Sequence, residues 1–134
     1  MSTFSLKIVT PDGVCFDGEA EQLIVRTTTG DMGILAGHTD FASALGMGRA
    51  VVISNGQRRT ACCIGGMVSV IRNNVTLMPT TFEWSDQIDL DRAKVSEKFA
   101  REALGNKEIT RAELRLAEAR LKRALVRQYI AELD

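Results

Sequence analysis

The sequence predicts an α+β organisation, in which an N-terminal antiparallel β-sandwich or flattened barrel is followed by a C-terminal antiparallel two-helix hairpin. Two observations predict it. Up to about residue 84, short apolar segments alternate with polar turn residues, which is typical of strands. From residue 85 onward, helix-forming residues dominate and apolar residues recur at helical spacing. We therefore assign a sandwich domain to residues 1–84 and a hairpin domain to residues 85–134.

The strand segments are recognised by their alternation and by the turns between them. Phe4, Leu6 and Ile8 alternate with polar residues, and a turn at residues 10–13 follows. Leu23 and Val25 indicate a further strand. Two strand pairs are then predicted, one joined by Asn55-Gly56 and one by Arg72-Asn73-Asn74. Many short strands with polar turns favour a sandwich or a flattened barrel.

A glycine-rich stretch, Gly30–His38, lies between two of these strand-like segments. It holds three glycines and the only histidine of the chain, and it predicts a turn in which glycine permits an unusual backbone path. His38 has no second histidine or cysteine at ligand spacing, and Asp31 is seven residues away. On the residues alone, a histidine that bonds to the local backbone is favoured over a catalytic or metal-binding one.

The helical part reads as two helices joined by a short connection. The first is predicted from Asp89 to Leu104, with a left-handed C-cap at Gly105-Asn106. Thr110 and Glu113 have the spacing of a capping box at the start of the second. Its apolar stripe, interrupted by Gln128, consists of Leu114, Ala117, Leu121, Ala124 and Ala131. Because alanine buries little area, we expect a marginally docked hairpin that is able to change partners.

Composition excludes several classes of protein. The chain has 134 residues, with 45% hydrophobic and 25% charged residues, and its 17 basic residues balance 17 acidic ones, which gives no support for nucleic-acid binding. We find no signal-peptide pattern and no membrane-spanning run, so we expect another subunit to hold the protein at any membrane. Cys15, Cys62 and Cys63 suit a reducing cytoplasm better than a disulfide or a zinc site. We see no nucleophile–base pair, so we expect no enzyme.

Four short elements, taken together and in order, identify a family. They are residues 9–13, the Gly30–His38 stretch, Gly65-Gly66, and residues 88–93. With them the chain resembles the epsilon subunits of bacterial F-type rotary ATP synthases along essentially its whole length. One departure is Ala36, where the family commonly has proline.

The resemblance implies a non-catalytic rotor subunit of the central stalk, peripheral at the cytoplasmic face of the bacterial cell membrane. The sandwich would dock on the gamma subunit and on the ring of c subunits, with Asp31 and His38 at the polar loops of the ring. The hairpin would extend along gamma to the catalytic beta and alpha subunits and inhibit ATP hydrolysis. We expect no required cofactor, and the spacing of cysteine and histidine predicts no metal site.

Residues 88–93 also match a pattern associated with ATP binding in some bacterial epsilon subunits. The implied ATP site consists of Glu83, Ile88, Asp89, Arg92, Ala93, Arg115, Lys122, Arg123 and Arg127. ATP would then be a regulatory ligand that relieves inhibition. Between residues 111 and 127 the second helix carries six basic side chains against two acidic ones, which suits phosphates or an acidic partner.

Two alternatives stay open. An acidic residue is also an ordinary helix start, and a basic helix face is usually solvated. A free-standing ATP-sensing protein is the alternative function, and whether the chain purifies alone or within a complex distinguishes the two.

Overall fold

The computed structural model describes residues 2–133, which form ten β-strands and two α-helices. The strands are β1 (Phe4–Thr10), β2 (Gly13–Ala20), β3 (Gln22–Thr27), β4 (Gly30–Leu35), β5 (Phe41–Ala44), β6 (Met47–Ser54), β7 (Gln57–Ile64), β8 (Met67–Ile71), β9 (Asn74–Met78) and β10 (Thr81–Trp84). A 3-10 helix (Ser85–Gln87) precedes α1 (Leu90–Leu104) and α2 (Arg111–Leu133). The chain divides into two compact units, one ending at Ser85 and the other beginning at Asp86.

Two five-stranded sheets build the first unit. Their strand orders are β2-β1-β9-β8-β5 and β10-β7-β6-β3-β4. The neighbouring strands are antiparallel except β1 and β9, which run parallel. The predicted sandwich is confirmed, with this one parallel pair as a detail that local patterns do not reveal.

The sandwich core is built from the alternate residues of the strands. On β1, Phe4, Leu6 and Ile8 are buried while Ser5 and Lys7 are exposed, which confirms the predicted alternation. The core continues with Leu23, Val25, Ile34, Val52, Val68, Val70, Val75, Leu77 and Trp84. Burying each large apolar side chain contributes about 1.5–3 kcal/mol, so these residues hold the sheets together.

The two tight hairpin turns contain residues with positive φ angles. Asn55 and Gly56 have φ angles of 53° and 74°, and they close the β6–β7 hairpin as predicted. Arg72 and Asn73 close the β8–β9 hairpin with φ angles of 48° and 66°, while Asn74 already belongs to β9. This turn is therefore one residue shorter than predicted.

Gly66 is a position that only glycine fits. Its φ is +91°, and a Cβ there would lie 2.0 Å from the carbonyl oxygen of Met78. The Gly65-Gly66 pair before β8 therefore allows another backbone segment to approach closely.

The predicted turn at Gly30–His38 is wrong for most of its length. Residues 30–35 form β4, which pairs with β3 from Thr27↔Gly30 to Gln22↔Leu35. The turn is confined to the residues that follow Leu35, where Gly37 has a φ of +78°. Glycine content misled the prediction because Gly33 lies on an edge strand and is exposed, where a missing side chain costs little packing.

The second unit is a helical hairpin whose helix starts match the sequence. The Asp89 carboxylate accepts a hydrogen bond from the backbone N–H of Arg92 at 3.0 Å, which makes Asp89 the N-cap of α1. At the start of α2, the N–H of Glu113 donates to the Thr110 hydroxyl at 3.1 Å. No helix within residues 2–133 is both long and apolar enough to cross a membrane.

The left-handed cap predicted at Gly105-Asn106 is wrong, since neither residue has a positive φ. Gly105 has a φ of −79° and a ψ of −8°, which is right-handed. Its N–H still donates to Arg101 in the helical pattern, and the N–H of Asn106 donates to Ala103 in a tighter turn. The chain thus leaves α1 by tightening the last turn, which needs no positive φ.

Among the residues described, four alanines and one large residue, Ile130, form the buried part of the hairpin, in which α1 packs against α2. Ala93 and Ala100 of α1 and Ala117 and Ala124 of α2 are buried, each pair seven residues apart. The other members of the predicted α2 stripe, Leu114, Leu121 and Ala131, are half-buried. Because alanines bury little area, the helices approach closely but gain little apolar stabilisation.

Gln128, which interrupts the stripe, makes a polar contact between the helices. Its Nε2 donates to Oε1 of Glu97 on α1 at 2.8 Å. Arg101 donates to the other carboxylate oxygen at 2.7 Å. The hydrogen bond from Gln128, and then that from Arg101, lower the pKa of Glu97. Gln128 therefore links α2 to α1 through a hydrogen bond.

Candidate functional site

Asp31 lies at the start of β4, directly opposite Arg26 of β3. Nε of Arg26 donates to Oδ1 of Asp31 at 2.7 Å, and the two side chains are 50% and 44% exposed. The carboxylate is thus accessible to a partner, but it is already paired with a cation. Sequence reasoning missed Arg26, although two residues that flank a Thr27–Gly30 hairpin turn are expected to face each other.

His38 lies in the loop that follows β4. Its Nδ1 donates to the carbonyl oxygen of Thr39 at 2.8 Å, and its ring centroid is 5.0 Å from that of Phe41. The N–H of Gly37 donates to Oδ1 of Asn73 at 2.8 Å, so the β8–β9 turn holds this loop. The histidine makes a local backbone contact, as the residues alone favoured.

Asp40 and Arg72 add a second link between the same two loops. The backbone N–H of Arg72 donates to Oδ1 of Asp40 at 2.8 Å. Two side chains thus hold residues 37–40 against the β8–β9 turn, which limits how far His38 can move.

The structure does not bring Asp31 and His38 together. Asp31 pairs near the β3–β4 turn, whereas the N–H of His38 bonds to the carbonyl oxygen of Leu35 at the other end of β4. At roughly 3.3 Å per residue, the two ends of β4 are about 16 Å apart. A single partner that contacts both residues must therefore lie along β4, which is an edge strand.

The predicted nucleotide residues fall on several elements. Glu83 is half-buried on β10, and Ile88 and Asp89 precede α1. The Asp89 carboxylate serves as a helix cap, and Ala93 is buried. Arg92 is exposed, one turn into α1. Of these five residues, Arg92 has the side chain best suited to reach an anion.

The predicted cations of α2 are spread along the helix. Arg115 and Lys122 are exposed and share one face, since they are seven residues apart. Arg123 and Arg127 are half-buried and lie one turn apart. At 1.5 Å per residue, Arg115 is roughly 18 Å from Arg127 along the axis, so the four cations do not converge on one phosphate.

A cavity of about 530 Å³ lies in the hairpin unit. Val95, Phe99 and Leu116 give it an apolar lining, and its charged lining residues are Arg92, Arg120 and Glu113. Phe99 is 65% exposed, which is unusual for a large apolar side chain. Arg92 is the one member of the predicted set that lines this cavity, and Arg120 is a cation that the predicted set lacked.

The thiols and metal-binding side chains show no catalytic arrangement in the part of the chain that is described. Cys15, Cys62 and Cys63 are free thiols, and burial raises the pKa of Cys63 to about 12. A thiol with that pKa is not a nucleophile at neutral pH. Within residues 2–133, no group of three or more histidine, cysteine, aspartate or glutamate side chains could hold a metal ion.

Comparisons with known proteins agree on one family. The family model described as the beta-sandwich domain of the ATP synthase Delta/Epsilon chain matches residues 3–85. The chain is 39% identical over 132 residues to the ATP synthase epsilon chain of Ruminococcus albus, covering 98% of both. It is 37% identical over 131 residues to that of Bacillus pumilus, also with 98% of both covered.

Two solved structures share the fold. A chain of the Euglena gracilis mitochondrial ATP synthase, in the cryo-EM structure of OSCP/F1/c-ring in rotational state 1, gives a TM-score of 0.84 at 20% identity. That match covers 100% of this chain and 83% of the other. A chain of the Tetrahymena thermophila mitochondrial ATP synthase central stalk and c-ring gives 0.67 at 12% identity, with 95% of each covered.

Proposed function

Since this chain belongs to the family of ATP synthase epsilon chains, we propose that it is a non-catalytic rotor subunit of the central stalk of a proton-translocating ATP synthase. The observation that carries the proposal is the match to epsilon chains over nearly the whole length of both proteins. In this role the subunit connects the catalytic head to the c-ring and sits as a peripheral subunit at the cytoplasmic face of a bacterial membrane.

The sandwich is the docking part of this proposal, with gamma and the c-ring as its partners. Its large buried core and short hairpin turns support a unit that keeps its shape while torque passes. Because Asp31 and His38 lie at opposite ends of β4, we assign the c-ring loops to the length of this edge strand rather than to one turn.

The hairpin is the regulatory part. Apart from Ile130, the buried residues described in its helices are alanines, which gain little from packing and so lower the free energy needed to separate the helices. Six basic side chains against two acidic ones on residues 111–127 suit acidic loops of the catalytic beta and alpha subunits. In this proposal the opened hairpin extends along gamma, contacts those loops and inhibits ATP hydrolysis.

ATP is the proposed ligand of the closed hairpin. The support is local: Arg92 is exposed on α1 beside the apolar lining of Val95 and Phe99, a combination that suits a phosphate and a flat base. ATP would relieve inhibition only to the extent that it binds the closed hairpin more tightly than the open one.

Purification of the complex tests the assignment to the stalk. An affinity tag on this chain is expected to recover gamma and the c-ring subunits from detergent-solubilised membranes. A chain that elutes alone, with the ATP synthase intact elsewhere in the profile, contradicts the proposal and favours a free-standing ATP sensor.

Truncation tests the inhibitory role. Removal of residues 86–134 is expected to leave a folded sandwich that assembles, and to raise ATP hydrolysis by the complex. The control is a complex with the full chain at the same occupancy. Unchanged hydrolysis excludes inhibition by the hairpin while leaving the stalk role intact.

Calorimetry of the isolated subunit tests the nucleotide site. We expect ATP to bind, and Arg92→Ala to weaken binding by about tenfold. Lys94→Ala, which removes an exposed cation of α1 outside the candidate set, is the matched control. No binding at millimolar ATP contradicts the site.

A further inference from the structure

The pair formed by Arg26 and Asp31 uses only part of each side chain. The bond joins Nε to Oδ1 at 2.7 Å, and about half of each side chain is exposed. A guanidinium carries five N–H donors and a carboxylate has two acceptor oxygens. The terminal nitrogens of Arg26 and Oδ2 of Asp31 therefore stand next to each other as a donor and an acceptor at the surface.

Two glycines make room for the Arg26 side chain. A Cβ at Gly48 would lie 2.9 Å from Cβ of Arg26 and 3.2 Å from its Cγ. A Cβ at Gly46 would lie 3.4 Å from the same Cγ and 3.1 Å from the carbonyl oxygen of Thr27. The backbone φ of either glycine is available to other residues, so glycine is needed here for space.

The β3–β4 turn fixes the backbone on both sides of the pair. Thr27 is buried, its hydroxyl donates to the carbonyl oxygen of Gly30 at 2.8 Å, and it accepts the N–H of Thr29 at 3.2 Å. The N–H of Gly46 donates to the carbonyl oxygen of Arg26 at 2.9 Å. The backbone of Arg26 is therefore fixed by hydrogen bonds. Its side chain lies against Gly46 and Gly48 and is bonded to Asp31.

The ion pair itself adds little to stability. An exposed ion pair adds about 0–1 kcal/mol, because water screens the charges and two long side chains lose freedom. Fixing exposed groups in advance instead lowers the entropy that a partner must overcome on binding. The arrangement suits recognition better than stabilisation.

We infer that Arg26 contacts the docking partner together with Asp31, so that this end of β4 presents a fixed donor–acceptor pair. The inference rests on the proposed function, in which Asp31 meets the polar loops of the c-ring. It adds the chemistry of the contact: a partner loop that offers a carbonyl oxygen beside an N–H, as a peptide or a side-chain amide does. The carbonyl would accept from Arg26 and the N–H would donate to Asp31.

Binding of the full-length subunit to ATP synthase stripped of it tests the inference. Arg26→Ala is expected to raise the dissociation constant by about tenfold, as loss of a charge-assisted hydrogen bond does. Arg26→Lys keeps the charge but lacks the planar fork, so it is also expected to weaken binding. Arg58→Ala, which removes an exposed arginine of β7, is the matched control and is expected to bind normally.

Gly48→Ala gives an independent test, because it displaces Arg26 without touching either charge. We expect it to weaken binding as Arg26→Ala does, and to shift the NMR signal of the Arg26 Nε–H in a subunit whose circular dichroism is unchanged. If Gly48→Ala fails to fold, the double variant Arg26→Asp with Asp31→Arg, the exchanged pair, still tests the inference. It keeps an ion pair but reverses donor and acceptor, and we expect it not to restore binding.

Three results would overturn the inference. Restored binding in the exchanged pair shows that the pair is only structural. Normal binding of Arg26→Ala, with weakened binding of Asp31→Asn, shows that Asp31 acts alone and leaves the proposed docking intact. Normal binding of both variants removes this end of β4 from the interface, and the co-purification experiment then tests the stalk role separately.

Discussion

The sandwich and the hairpin differ in how many large side chains they bury. Leu6, Leu23 and Val68 are among many large side chains that the sandwich buries completely, whereas Ile130 is the one large side chain among the buried residues described in the hairpin, and the others are alanines. Apolar stabilisation scales with buried area at about 25 cal/mol per Å², so the hairpin gains far less per buried residue. The chain thus combines a unit that resists opening with one that opens at lower cost.

Polar side chains also have different roles in the two units. In the sandwich, Thr27 and Asn73 use side-chain hydrogen bonds to fix turns and loops, and so fix the shape of the surface. In the hairpin, Glu97 and Gln128 bond across two helices, so their bond must break when the helices separate. Under the proposed function, the first kind of contact would preserve the docking surface, and the second would add to the cost of separating the helices.

The largest expected effect is loss of a core side chain in the sandwich. Leu23→Ala is expected to lower the free energy of unfolding by about 2–5 kcal/mol, because it removes buried contacts and leaves a cavity. Urea unfolding followed by the fluorescence of Trp84, the only tryptophan, measures it. Leu35→Ala on the neighbouring strand is the control, since Leu35 is 57% exposed. Equal losses in both variants would contradict the assigned core.

Overpacking the hairpin is expected to cost less. Ala117→Leu inserts a large side chain where small ones permit close approach, at about 1–3 kcal/mol. Hydrogen exchange should then accelerate in α1 and α2 while amides of β6 and β7 keep their protection. Ala112→Leu, at an exposed position of α2, is expected to leave both unchanged. Faster exchange in β6 and β7 would remove the contrast between the units.

Local patterns predicted most of the fold because they report on near neighbours. The alternation of Phe4, Leu6 and Ile8, the Asn55-Gly56 turn and the Asp89 cap each depend on residues close in sequence. The turn predicted over Gly30–His38 failed because its conformation depends on a neighbouring strand. Gly30–Leu35 forms a strand because β3 lies beside it, and that partner overrides the glycine content.

The candidate site was less predictable because its contacts join distant residues. Asn73 reaches the loop of His38 across 36 positions, and Gln128 reaches Glu97 across 31. Arg26 is only five positions from Asp31, yet their contact follows only once the intervening residues are known to form a hairpin turn. The resemblance to a family supplied the docking and nucleotide residues, while the supporting residues come from the structure.

Alkaline pH is expected to weaken the sandwich through Cys63. Burial, and then the neighbouring Cys62, raise the pKa of Cys63 from 9.0 to about 12. The unfolded chain therefore loses this proton above pH 9 while the folded chain keeps it, so stability falls as pH rises, by up to about 1.4 kcal/mol per pH unit. Urea unfolding at pH 8 and pH 10 measures the slope. In Cys63→Ala the slope should be smaller, and an equal slope would assign the loss to other groups.

Acid is expected to have the smallest effect, and to act on the hairpin. The bonds from Gln128 and Arg101 lower the pKa of Glu97 below its ordinary value of 4.5. A depressed folded-state pKa means that the carboxylate stabilises the hairpin above pH 4.5, and that this contribution is lost as pH falls through the lower folded value. Hydrogen exchange of α1 and α2, corrected for intrinsic rates between pH 6 and pH 3.5, is expected to show the loss. In Gln128→Ala the hairpin should already be more open at pH 6 and respond less to acid, because the larger cause of the shift is gone. An equal acid response in this variant would show that the link between the helices does not set the cost of opening them.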